Sequence, residues 1–402
     1  MTRHDFIDRD HQSSNKRVLV VVFLRGGADG LTICPPYAEQ PYIDKRPNIR
    51  IHAPGESGDA TKDALPLQAA SGGLPAFGLA PAMAPLVPAY DDDKLLIVQA
   101  VGCQDPSRSH FAQQKNNEHA VTSSTPNVDG NGWLGRYLAN TSPCSGTGAL
   151  RGFSFGFFKA AAFDGGNGVT PAVDPKDFAF PGDLTLQTKL QSMYTLFGDP
   201  LSTALQNDIE AVAKLAAVDW DLPSGAYPSS TLGGQFKDAA AMALQLGCEL
   251  EVINIDYDNI AGQRWDAHSD QNPYTGTYYN LIDDLARSMA AFWADLEGNR
   301  RVCVLVYSEF GRTLDENSSL GTDHGRGGVA LMLGDGVNGG QVFSNWPGLD
   351  DASLDPPVTG DLKAELDIRD LQAEIAVDCL KTSVSAVIPD TSYTWTDHGL
   401  IG

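Results

Sequence analysis

The chain holds 402 residues, 42% hydrophobic and 20% charged, a balance that excludes a disordered or fibrous protein. Its 51 acidic against 28 basic residues leave a net charge of −23, a field that repels phosphodiester backbones and anionic lipid and so excludes nucleic acid and membrane surfaces as partners. Six cysteines with no C-x-x-C pair exclude a zinc knuckle or a dense disulfide scaffold and read as buried thiols.

Residues 1–16 are polar and mixed in charge, the composition of a disordered arm. The run that follows, RVLVVVFL (17–24), is apolar without alternation and ends in glycines, the pattern of a strand covered on both faces. Its apolar stretch is too short to span a bilayer. No A-x-A-like site follows it and no Arg-Arg pair precedes it, so a cytoplasmic location is expected, with a periplasmic or secreted one as the alternative. A helical pattern at 81–91, a strand at 94–102 and a helix at 110–120 come next. Residues 121–181, rich in Gly, Pro, Asn and Ser, predict a loop-rich insertion into a single domain covering 17–402. Helices at 184–197, 202–218 and 236–247, a strand at 251–259, a helix at 277–297, strands at 301–311 and 328–336 and a helix at 370–381 complete the series. Strands alternating with helices predict an α/β fold, a mostly parallel central sheet with helices on both faces.

Ligands of open α/β sheets bind beyond the carboxyl ends of the strands, so the residues following each strand belong together. They are Arg25-Gly26-Gly27-Ala28-Asp29, Ser107-Arg108-Ser109-His110, Asp266-Ala267-His268, Glu309-Phe310-Gly311-Arg312 and Asp323-His324. Carboxylate and imidazole are the ligands of hard and borderline divalent ions, which makes Asp29, His110, Asp266, His268, Asp323 and His324 candidate metal ligands. Asp beside Gly is also ordinary turn composition, and His110 is equally a candidate base or a plain helix residue. Ser107 and Ser109 precede a helix, where they are candidate nucleophiles or simple N-caps. Arg25, Arg108 and Arg312 suit a phosphate, sulfate or carboxylate group, or else pair with Glu309 or Asp29. Trp133 and Trp265 wall an organic pocket or fill the core, and His398 repeats the Asp-His-Gly pattern in the tail.

Together, FLRGGADGL (23–31), SRSHF (107–111), WDAHSDQ (265–271), SEFGRT (308–313), GTDHGRGG (321–328) and GGQVFSNWPGL (339–349) closely resemble the bacterial DUF1501 family, from residue 17 onward. That family is similar to the alkaline phosphatase and sulfatase superfamily, which implies an alkaline-phosphatase-like α/β sandwich with a metal site at its strand ends. On this resemblance Asp323-His324 matches the superfamily's Asp-His metal pair, Asp29 its first-strand ligand, and Asp266 with His268 a more closely spaced second pair. The sulfatase pattern C-x-P-x-R is missed by one position at Cys103-Gln104-Asp105-Pro106-Ser107-Arg108, against a formylglycine route.

The expected activity is metal-dependent hydrolysis of a phosphate or sulfate ester, of a saccharide among other carriers. One or two divalent ions (Zn, Mn, Mg or Ca) would polarise the ester, Ser107, Ser109 or water would attack, and Arg25 or Arg312 would stabilise the developing charge. A second reading is a non-catalytic protein on the same fold that binds an anionic ligand or saccharide. A metal-free Ser-His-Asp esterase using Ser109 has less support, because no G-x-S-x-G elbow occurs.

Overall fold

The computed structural model describes residues 17–67, 73–125, 129–179, 184–194, 201–257, 265–299, 301–355 and 360–402. At its centre lies strand β1 (Val18–Leu24), all seven residues of which are buried. Side chains alternate across it: Val18, Val20, Val22 and Leu24 enter one core, Leu19, Val21 and Phe23 the other. The remaining strands of the central sheet are β2 (Leu95–Gly102), β3 (Gly152–Phe155), β4 (Val169–Ala172), β5 (Val252–Tyr257), β6 (Val302–Ser308), β9 (Gly328–Gly334), β10 (Gln341–Phe343) and β11 (Leu366–Asp367). Between β6 and β9 a separate antiparallel pair forms from β7 (Arg312–Glu316) and β8 (Thr322–His324).

Across the sheet the order is β10, β2, β9, β6, β1, β5, β3, β4, with β11 also paired to β2. The described pairings are parallel except those of β9, which runs antiparallel to both β2 and β6. The short path from the end of β6 through the β7 and β8 pair returns the chain at the same sheet edge, which leaves β9 only the reverse direction. Register aligns Leu24 with Tyr257 and Ser308, so the carboxyl ends of β1, β5 and β6 are level.

Helices cover both faces. On one side lie α4 (Thr231–Gln245), capped by the Ser230 hydroxyl on the Gly233 N–H, and α5 (Gly276–Leu296). On the other lie α3 (Trp133–Asn140) and α6 (Ile368–Glu374), the latter capped by Asp367. Two further helices, α1 (Gly30–Ile33) and α2 (His110–His119), begin at the carboxyl edge.

The predicted alternation holds, and several expectations need correction. Residues 121–181 are not merely a loop-rich insertion: their described part carries α3, β3 and β4 and forms one edge of the sheet. Their glycines serve close packing, since a Cβ on Gly132 or Gly135 would meet the carbonyl oxygens of Ala162 and Asp164 at 2.1 and 1.9 Å. The helix expected at 81–91 is a 3-10 turn (Pro81–Leu86), with Pro85 inside it, followed by Val87–Asp91. That expected at 370–381 starts at Ile368 and becomes a π-helical turn over Ile375–Cys379. The arm at 1–16 and the predicted element ends at 195–197 and 258–259 lie outside the described residues. Four of the six cysteines, Cys34, Cys103, Cys303 and Cys379, are buried. No described helix is long and apolar enough to cross a membrane.

Candidate metal centre

Three segments at the carboxyl edge bring His110, Asp266, His268 and His324 together. His110 opens α2, His324 ends β8 opposite Arg312, and Asp266 and His268 follow β5 on the way to α5. Nε2 of His324 lies 3.1 Å from Nε2 of His110, 3.1 Å from Nε2 of His268 and 3.0 Å from Oδ1 of Asp266. Asp266 Oδ1 is also 3.0 Å from His268 Nε2, and its Oδ2 is 3.4 Å from His110 Nε2.

The far side of each imidazole is tied down. Nδ1 of His110 donates to Glu309 at 2.7 Å, Nδ1 of His268 to Asp323 at 2.8 Å, and Nδ1 of His324 to the Arg108 carbonyl at 2.9 Å. Ionised carboxylates and a carbonyl only accept, so the proton of each neutral ring sits on Nδ1. Three Nε2 lone pairs and a carboxylate then face one another, an arrangement that repels itself unless a proton or cation lies between. Donors about 2.0–2.1 Å from a shared ion stand roughly 2.9–3.4 Å apart at octahedral to tetrahedral angles, so the spacing fits a metal.

Glu309 anchors this arrangement and is wholly buried. Its carboxylate accepts from the N–H groups of Gly26 and Gly27, the Ser308 hydroxyl, Gln114 and His110. Burial pushes its pKa up, but His110, Gln114 and the backbone donors prevail and hold it down at about 2. Gly26 and Gly27 adopt φ of +128° and +73°, turning successive N–H groups toward the carboxylate. Arg312, wholly buried, clamps Asp266 at 2.5 Å and spends its other donors on the carbonyls of Gly26, Gly27, Trp265 and Thr322. Phe310 packs against His110 and His324 with ring centroids 4.9 and 4.8 Å away, excluding water on that side.

Other expected site residues stand elsewhere. Asp29 is fully buried, caps α1 and accepts from Arg46, Thr32 and Gln271, so its oxygens are committed to a structural ion pair. Asp323 lies one layer out, with its side chain 62% exposed and an oxygen on Nδ1 of His268. A register irregularity in β8 lets the consecutive residues Asp323 and His324 both reach His268. Arg25 pairs with Glu118 and Asp256 and stacks on Phe23. Arg108 pairs with Asp361. The Ser107 hydroxyl accepts from the Ser109 N–H, and Ser109 is exposed at the start of α2; neither hydroxyl meets a described base. Trp133 and Trp265 are core residues, and His398 bonds Asp370 near the C-terminus. Glu309, seen in the sequence only as an ion-pair partner, is the missed site residue; a Glu directly after an apolar strand was the available signal. The Arg108 carbonyl, a backbone atom, left none.

A cleft of about 620 Å³ opens beside the centre, lined by Asp266, His268, Asp270, Asn272, Asn48 and Tyr278 among others, with neither Lys nor Arg among the described lining residues.

The sequence matches, over residues 15–375, the profile of a family described as "Protein of unknown function (DUF1501)". No curated protein matches the sequence. Among solved structures, the fold is similar to a protein of the alkaline phosphatase superfamily from Vibrio parahaemolyticus, at 10% identity and TM-score 0.41, covering 96% of this chain and 72% of that one. It is similar to a putative sulfatase from Bacteroides thetaiotaomicron at 9% identity and TM-score 0.40, covering 95% and 76%. The phosphonate monoester hydrolase of Agrobacterium radiobacter aligns at 10% identity and TM-score 0.32, covering 95% and 79%.

Proposed function

The chain belongs to the DUF1501 family, and from that premise we propose that it is a metal-dependent hydrolase of phosphate or sulfate esters, with His110, Asp266 and His324 as the core of the ion site. One observation carries this reading: the donor atoms of these three residues lie within 4.8 Å of one another, with both imidazoles turned Nε2 inward by acceptors behind them. Bound there, a divalent ion supplies Lewis acidity toward an ester oxygen.

The protein groups do the rest. Glu309 and the Arg108 carbonyl hold the rings in one tautomer, Arg312 fixes the Asp266 carboxylate, and Phe310 keeps water from the back of the site. Among the described residues neither Ser107 nor Ser109 is paired with a base, so on this reading water entering from the cleft is the attacking group. Arg25 and Arg312 are both engaged in ion pairs, and the described residues of the cleft lining include neither Lys nor Arg. An ion held by His110, Asp266 and His324 would supply positive charge for an anionic ester.

The test is hydrolysis of a panel of phosphate and sulfate mono- and diesters by metal-loaded protein, beside His324→Ala. Turnover lost in the variant with folding intact supports the proposal. No turnover of any ester by fully loaded protein would leave the non-catalytic reading, which the unactivated serines favour, as the better account.

A further inference from the structure

We propose that the centre takes one borderline transition-metal ion, of which Zn²⁺ is the type, on four protein donors: Nε2 of His110, His268 and His324 and the carboxylate of Asp266, with Asp323 as the positioning residue of His268. The inference deepens the hydrolase reading and rests on it for the presence of an ion.

His268 earns its place on two independent observations. Its Nε2 stands 3.1 Å from His324 Nε2 and 3.0 Å from Asp266 Oδ1, the spacing of the other donor pairs. Its Nδ1 donates to a carboxylate, Asp323, just as Nδ1 of His110 donates to Glu309. Outer carboxylates of this kind orient ligating imidazoles and raise their basicity. His268 differs in exposure: its side chain is 46% exposed against 25% for His110 and 23% for His324, and it lines the cleft. It is the donor on the side from which a small molecule reaches the ion.

The ion class follows from donor chemistry. Three imidazoles and one carboxylate suit Zn²⁺, Co²⁺ or Fe²⁺, whereas Mg²⁺ and Ca²⁺ prefer oxygen throughout. The number follows from what is left over. Asp29 is spent on Arg46, Thr32 and Gln271, Glu309 on its donors and Asp323 on His268, so the described residues offer no second donor set beside the first.

The full chain, stripped with a chelator, is titrated with Co²⁺, and bound metal and visible absorption are recorded for wild type, His268→Ala and Asp323→Asn. Expected are one Co²⁺ per chain with the intense bands of low coordination, displacement by one equivalent of Zn²⁺, and no displacement by millimolar Mg²⁺ or Ca²⁺. His268→Ala should weaken binding at least about tenfold and change the band pattern; Asp323→Asn should weaken it about 10–100-fold with the pattern kept. Both side chains are exposed, and circular dichroism checks that the variants fold. Two ions per chain, equal competition by Mg²⁺, or an unchanged affinity and spectrum in His268→Ala would overturn the proposal. A single Co²⁺ bound as described without turnover of any ester removes the hydrolase reading and leaves this one standing. Hydrolysis supported by two Mg²⁺ ions does the reverse.

Discussion

Glu309 stands at the junction of fold and site, because one buried carboxylate both binds the β1 turn and holds His110. Glu309→Gln keeps the shape but sets an amide donor against N–H groups that already donate. It should cost about 1–3 kcal/mol of stability and weaken metal binding about 10–100-fold, read by denaturant unfolding and metal titration; wild-type values in both would contradict the assignment. Asp29 plays a purely structural part. Burial pushes its carboxyl up, but Arg46, Thr32 and Gln271 outweigh that and hold it below the ordinary value. A depressed carboxylate stabilises above its unfolded pKa, about 3.9, and that contribution drains away as pH falls through the folded value. Arg46→Met strands the charge and should cost about 3–5 kcal/mol at neutral pH. The double variant with Asp29→Asn should recover most of this and flatten the acid limb of a urea-midpoint profile; an equally steep limb would exclude the pair as its source. At this scale Asp266, His268 and His324 were legible from Asp-His spacings at strand ends, and His110 only as a histidine that could be ligand, base or plain helix residue. The fates of Asp29 and Asp323 were not, since an Asp reads alike whether an arginine or an imidazole faces it.

Among the elements, the turn after β1 sets how closely the site loops approach one another. A Cβ on Gly27 would stand 2.4 Å from the Phe310 ring, at a φ of +73° that other residues adopt with strain. Gly27→Ala should therefore cost about 1–3 kcal/mol for overpacking and displace Phe310 from His110 and His324. A melting temperature and metal affinity both equal to wild type would show that the turn has slack. The long apolar strands β1, β2, β6 and β9 were legible because continuous hydrophobic runs are local signals. The short edge strands β3 and β4 were hidden in glycine-rich sequence whose glycines permit tight packing of α3 rather than looseness. The antiparallel direction of β9 was equally invisible, since a buried strand reads the same in either sense.

For the molecule as a whole, a net charge of −23 imposes self-repulsion on the folded state. Raising NaCl from about 0.1 to about 1 M shortens the screening length from about 10 to about 3 Å, and the melting temperature should rise by a few degrees. A fall would mean that surface ion pairs such as those of Arg287 and Lys214 outweigh the repulsion. Composition and hydrophobic periodicity by themselves determined the α/β class, the central strands and the edge at which the candidate ligands gather, because each depends on neighbours a few positions apart. Which carboxylate faces the histidine cluster, which one steadies a histidine and which one disappears into an arginine pair was decided only by tertiary structure. Those roles depend on partners as far apart in sequence as Gly26 and Glu309, separated by 283 positions, and on burial that sets how strongly each charge is felt.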